Sequence, residues 1–223
     1  MTKKNKLYVL LLVVLSVAVS FFYYGAKPSM KELKISVAPA ASLYPDARSV
    51  SDKLNFINDA SADTHLSEVA QGKWALLYFG YASCPDICPI DLSKINLTYQ
   101  MMDNQERLQV VFVSVDPGRD IGRLDQFAGA FNPSFAGLTA KQDELVLVSR
   151  SLGVYHEVVA SQTLAKEDHS SHGDDPSHSH YEVDHTSSYL LFNPELKLVA
   201  LLTSPHEPEA MAKAIDIIIE NLR

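Results

Sequence analysis

An α/β layer fold, with a central mixed sheet flanked by helices, is what this sequence of 223 residues predicts. Three observations predict it. Apolar runs at residues 74–79 and 108–115 are short and unbroken, as buried strands are. Each is followed by a segment with helical spacing of its apolar residues. The chain then ends in two apolar runs around Asn193-Pro194-Glu195, a hairpin signal, and a last amphipathic helix. Strand–helix alternation closed by a hairpin and a helix is the order of a thioredoxin-like fold.

The elements follow in turn. Residues 7–25 carry no charge, Lys3, Lys4 and Lys6 precede them, and Tyr23 and Tyr24 close them. A span needs about 20 such residues, whereas the apolar region of a cleaved signal peptide has about 7–15. The reading is an N-terminal transmembrane helix, residues 1–25, that stays in place. Lys27, Lys31 and Lys34 equal in number the lysines before it, so only the α-amino group tips the positive-inside rule slightly toward an inside N-terminus. That preference puts the main domain on the periplasmic, extracytoplasmic side of the inner (cytoplasmic) membrane. Residues 26–50, with Lys27-Pro28-Ser29 and Ala38-Pro39-Ala40, read as a linker. Residues 51–223 form the single remaining domain.

Within it, Pro89 suits a first helical turn because it has no N–H to lose there, and residues 90–102 continue as helix. Asp116-Pro117-Gly118 stops the strand at 108–115. Helices are expected at 120–130 and at 141–152, the latter with Leu145, Val148 and Leu152 on one stripe. A strand is expected at 154–159. Residues 160–184 are rich in His, Ser and Asp without apolar periodicity, and read as a mobile excursion. Strands at 188–192 and 196–202 and a helix at 207–222 complete the domain. An apolar fraction of 47% suffices for a core, and a net charge of −8 without a basic stripe excludes a nucleic-acid binder.

The chemistry centres on the only two cysteines, in Cys84-Pro85-Asp86-Ile87-Cys88-Pro89. A strand delivers them to a helix start. Three intervening residues put the sulfurs about one turn apart, able to share a metal ion or a disulfide. The helix dipole favours the thiolate, the form that binds metal or attacks a disulfide. A structural disulfide or two buried thiols is the plainer alternative. Thiolates suit a soft ion such as Cu(I), with imidazole as a third ligand. Among the eight histidines, His65 reads as a surface residue, His206 as a helix cap and His156 as a packed strand residue. His169, His172, His178 and His180 lie in the excursion. His185 ends the excursion where the next central strand begins, so position favours it as a third ligand without deciding the matter.

Tyr78-Phe79-Gly80-Tyr81-Ala82-Ser83-Cys84-Pro85-Asp86-Ile87-Cys88-Pro89, then Ser114-Val115-Asp116-Pro117-Gly118-Arg119-Asp120, then Val183-Asp184-His185-Thr186, resemble the Sco/SenC family in content and order. The resemblance covers about residues 50–222. It implies a membrane-anchored copper chaperone that binds copper through Cys84, Cys88 and His185 and helps assemble the Cu(A) centre of cytochrome c oxidase. It also implies a redox-active Cys84–Cys88 pair, Cu(I) as cargo with Cu(II) left open, and two partners: the copper-receiving oxidase subunit and a periplasmic copper donor. Ile121 departs from the Thr usual at its position. The His-rich excursion also departs, and reads as an auxiliary metal-gathering tract.

Other functions remain on the table. A thiol–disulfide oxidoreductase keeping the acceptor's cysteines reduced is compatible with the same residues. A general thioredoxin lacks its usual proline before residue 188, and a peroxiredoxin-type enzyme lacks its Thr, because Tyr81 stands there. A copper sensor or buffer would suit the His tract.

Overall fold

The computed structural model describes residues 3–23, 28–154, 156–160, 181–185 and 188–222. Helix α1 (Lys3–Tyr23) is followed by α2 (Met30–Val37), β1 (Ala41–Ser49), β2 (Asn55–Ile57), β3 (Asp63–His65) and α3 (Leu66–Ala70). The segment β4 (Trp74–Gly80), α4 (Ile87–Met101) and β5 (Leu108–Ser114) carries the thiols. Then come α5 (Pro117–Asp120), α6 (Leu124–Phe131), β6 (Ala136–Leu138), α7 (Gln142–Leu152), β7 (His156–Ala160), β8 (Tyr181–His185), β9 (Tyr189–Phe192), β10 (Lys197–Leu202) and α8 (Pro208–Asn221).

The six-stranded sheet runs β1-β10-β9-β4-β5-β6. Parallel β4–β5–β6 meets antiparallel β4–β9–β10–β1, which makes the sheet mixed as expected. Every residue of β4 is buried, consistent with a strand covered on both faces and paired on both edges. Helix α8 packs on α2, α4 and β1, and α4 also meets α6. Gly137 on β6 lets α6 approach: a Cβ there would lie 2.4 Å from the Leu124 carbonyl. The carboxylate of Asp59 accepts the N–H groups of Gly122 and Leu124, both at 2.8 Å, and so caps the entry to α6.

Two expectations are corrected. Among the described residues no helix is long and apolar enough to cross a membrane. Helix α1 incorporates Lys3, Lys4 and Lys6, which leaves residues 7–23 as its uncharged part, at the lower limit of what a span uses. The transmembrane anchor, and the single-pass inner-membrane placement built on it, therefore fall. Residues 26–50 also differ from a linker. Ser29 and Glu32 form a reciprocal capping box that starts α2, and Leu33 and Val37 enter the core. Strand β1 pairs with β10, with a register shift between Leu43 and Arg48 that accommodates Pro45. Most of the His-rich excursion, including His169, His172, His178 and His180, lies outside the described residues.

Candidate functional site: a thiol pair at the start of α4

Strand β4 ends at Gly80, and residues 81–86 turn the chain into α4. The turn is held from two sides. The N–H of Cys84 donates to the Tyr81 carbonyl at 3.2 Å. The Asp120 carboxylate accepts the N–H of Ala82 at 2.7 Å and the Ser114 hydroxyl at 2.6 Å. Arg119, ion-paired with Asp116, places its guanidinium 5.7 Å from the centre of the Tyr81 ring. The second sequence block, residues 114–120, thus serves as a brace for the first.

Both cysteines are free thiols. Cys84 is 7% exposed and Cys88 is fully buried. The N–H of Cys88 points at the Cys84 sulfur at 3.5 Å. The sulfur of Cys88 sits over Gly80, where a side-chain carbon would come within 3.0 Å of it. Their ionisation differs. Burial pushes the Cys84 thiol up, but the N–H groups of Cys88 and Asp86, with the side chains of Cys88 and Tyr81, together outweigh it, and its pKa lies below the ordinary thiol value. Burial dominates at Cys88 and pushes it up to about 12, although Tyr78 and the Tyr81 backbone pull the other way. The exposed side of the pair therefore carries the readier thiolate.

Behind the sulfurs lies a buried polar set that sequence reasoning missed. Asp91, one turn after Cys88, is 2% exposed. Tyr189 is the register partner of Tyr78 on the neighbouring strand β9, and the ring of His206 stacks on Tyr189 with centroids 3.9 Å apart. His206 Nε2 donates to the Leu202 carbonyl at 3.2 Å, so this histidine is a packed residue and not the expected cap of α8. Burial lowers its pKa. His65 caps α3: its Nδ1 accepts from the Ser67 N–H, and its Nε2 donates to the Ser51 carbonyl at 2.8 Å.

His185 is the last residue of β8, paired in register with His156 of β7. It belongs to this separate two-stranded ribbon and not to the central strand, which begins at Tyr189. Only the backbone of His185 is described, and the expected meeting of its imidazole with the sulfurs falls outside it. Among the described residues, no three Cys, His, Asp or Glu side chains gather to hold a metal ion. This corrects the expectation of a membrane-anchored chaperone on two counts: among the described residues there is neither a membrane-spanning helix nor an assembled metal-holding cluster. Its partners likewise lose the placement that a membrane anchor would have supplied.

Comparison with known proteins supplies the context. The SCO1/SenC family model matches residues 46–220. The chain is similar to Protein SCO1 homolog 1, mitochondrial, of Arabidopsis thaliana, with 32% identity over 65% of this chain and 40% of that protein. It is also similar to Protein sco1 of Schizosaccharomyces pombe, with 29% identity over 65% of this chain and 52% of that one. The matched region thus spans about half the length of these relatives. Among solved structures, Arabidopsis thaliana ScoI with copper bound matches with a TM-score of 0.62 and 28% identity, over 75% of this chain and 96% of that one.

Proposed function

The chain belongs to the SCO1/SenC family, and from that premise we propose that it handles copper through Cys84 and Cys88, in a copper-transfer role toward cytochrome c oxidase assembly. The observation that carries this is the pair itself: two reduced sulfurs at a helix start, one accepting an N–H from the residue that bears the other. The donor set suits a soft monovalent ion. Two thiolates around one cation leave a negative charge, which the backbone N–H of Cys88 partly offsets. Copper bound in the similar Arabidopsis structure supports the same cargo here. The finer assignment is Cu(I).

His185 is assigned as the residue that completes the ligand set. Tyr189 pairs with Tyr78, the side chain next to Cys88. His185 precedes Tyr189 by four residues, a reach of up to about 14 Å.

The test is Cu(I) competition binding in chains whose His169, His172, His178 and His180 are changed to alanine. Cys84→Ser and Cys88→Ser should each abolish tight binding, and His185→Ala should weaken it. Tight stoichiometric binding by the double cysteine variant would refute the assignment.

The unequal thiols favour a second reading, reduction of a partner's disulfide. The Cys84 thiolate would attack one partner sulfur, and Cys88 would then displace it. A partner dithiol and a Cys84–Cys88 disulfide would result. Stoichiometric release of partner thiols without copper affinity would favour this reading.

A further inference from the structure

Helix α4 carries two apolar rows. Cys88, Leu92 and Ile95 form the first and are buried in the core. Ile87, Ile90, Lys94, Leu97 and Met101 form the second, spaced alternately three and four residues apart, which is the seam spacing of paired helices. Its four apolar members are each between 43% and 54% exposed. The half-buried Lys94 can lay its apolar stem along the row. A contiguous exposed row of this kind marks a contact surface. It starts three residues after Cys84 and ends at Met101, in a groove of about 500 Å³ against α8. Ile217 adds apolar surface to that groove, and Asp103, Glu209, Asp216 and Glu220 surround it with Lys213 beside them. None of these four carboxylates is ion-paired among the described residues.

An uncovered apolar row suits a second row of the same spacing, and an unneutralised acidic end suits cations. We propose that this face of α4 is the docking site for an amphipathic helix of a partner protein. Its apolar side lies on Ile90, Leu97 and Met101, and its lysines or arginines lie over the groove against α8. A helix is the matching form, because the row runs straight for about 21 Å, roughly four turns. The seated helix has its other end beside the turn that carries Cys84. As a route for a copper-exchanging partner, that placement rests on the copper-transfer reading. The docking itself needs neither metal nor thiol.

The test uses the full, reduced, metal-free chain and a fluorescent helical peptide of leucine, alanine and lysine. Its leucines repeat at the same spacing and its lysines crowd one end. Fluorescence anisotropy should show saturable binding that weakens with salt, and a twin peptide with glutamate for lysine should not bind. All the substituted positions are exposed, so the variants fold. Leu97→Ser with Met101→Ser should weaken binding about tenfold or more. Leu147→Ser, at an apolar position 67% exposed on α7, should stay within about twofold. Asp103→Asn with Glu209→Gln should weaken binding and flatten its salt dependence, whereas Glu106→Gln with Glu144→Gln should do neither. Failure of the lysine peptide to bind, or equal losses in the control variants, overturns the inference. So does light scattering that shows a dimer abolished by Leu97→Ser, because a second copy would then be the occupant. Peptide binding by a chain that proves to have no Cu(I) affinity sustains the docking site while defeating the copper reading.

Discussion

Asp120 reaches back to Ala82: its carboxylate takes the backbone N–H two residues before Cys84 at 2.7 Å, across 38 positions of sequence. The same oxygen holds the Ser114 hydroxyl. One buried group therefore fixes the thiol turn against the end of β5.

Removal of that group is expected to be costly in a specific way. Asp120→Ala strands two buried donors and should lower stability by about 2–4 kcal/mol in urea unfolding. Asp120→Asn keeps an acceptor oxygen and should stay within about 1 kcal/mol. Burial raises the Asp120 pKa above the ordinary carboxylate value, although Ser114 and Ala82 pull it down. The folded chain then holds this proton more tightly than the unfolded one. The stabilisation is full below the ordinary value and is lost as pH rises through the raised one. Wild-type stability relative to Asp120→Asn should decline as pH rises above the ordinary carboxylate value of about 4. A rise over that range would contradict the assignment.

The two thiols should react in order. Cys84 lies below the usual thiol pKa and Cys88 at about 12. Near neutral pH, iodoacetamide should label Cys84 at least about tenfold faster than Cys88. Peptide mass spectrometry reads this directly, and equal labelling would disprove the asymmetry.

Gly80 has no room for a methyl. The added carbon would press on the Cys88 sulfur at 3.0 Å and on Phe112 and Tyr78 at 3.2 Å. Gly80→Ala should cost about 1–3 kcal/mol by thermal unfolding and weaken Cu(I) binding with it. Gly129→Ala is the contrast: a Cβ there meets nothing within 4 Å, inside α6. That change should be neutral or slightly stabilising. Equal effects at the two positions would rule out the sulfur contact as the cause.

Much of the fold was legible because its signals are local. The runs that became β4 and β5 are continuous apolar stretches, and the last hairpin announced itself at Asn193-Pro194-Glu195. Helix α4 begins at Ile87, which puts Pro89 in its first turn as its missing N–H suggests. Pro28 and Pro39 suggest a linker at residues 26–50, although Ser29 followed three residues later by Glu32 is a helix-start signal. The partners of the sulfurs were beyond local reach. Nothing adjacent in sequence says that Tyr78 and Tyr189 meet, that His206 stacks on Tyr189, or that Asp120 braces Ala82. Those pairings come from sheet register and crossover connections, which single residues do not encode.

The pairing of β4 with strands on both sides has a kinetic corollary. Its amides from Ala75 to Tyr78 lie between β9 and β5, so they should exchange with deuterium only through global opening. The turn at 81–86 lies outside that ladder and is held instead by the Asp120 carboxylate and the Tyr81 carbonyl. Opening of the turn need not melt the strand beneath it, and loss of the Asp120 carboxylate should lower exchange protection at Ala82 more than at Ala75–Tyr78.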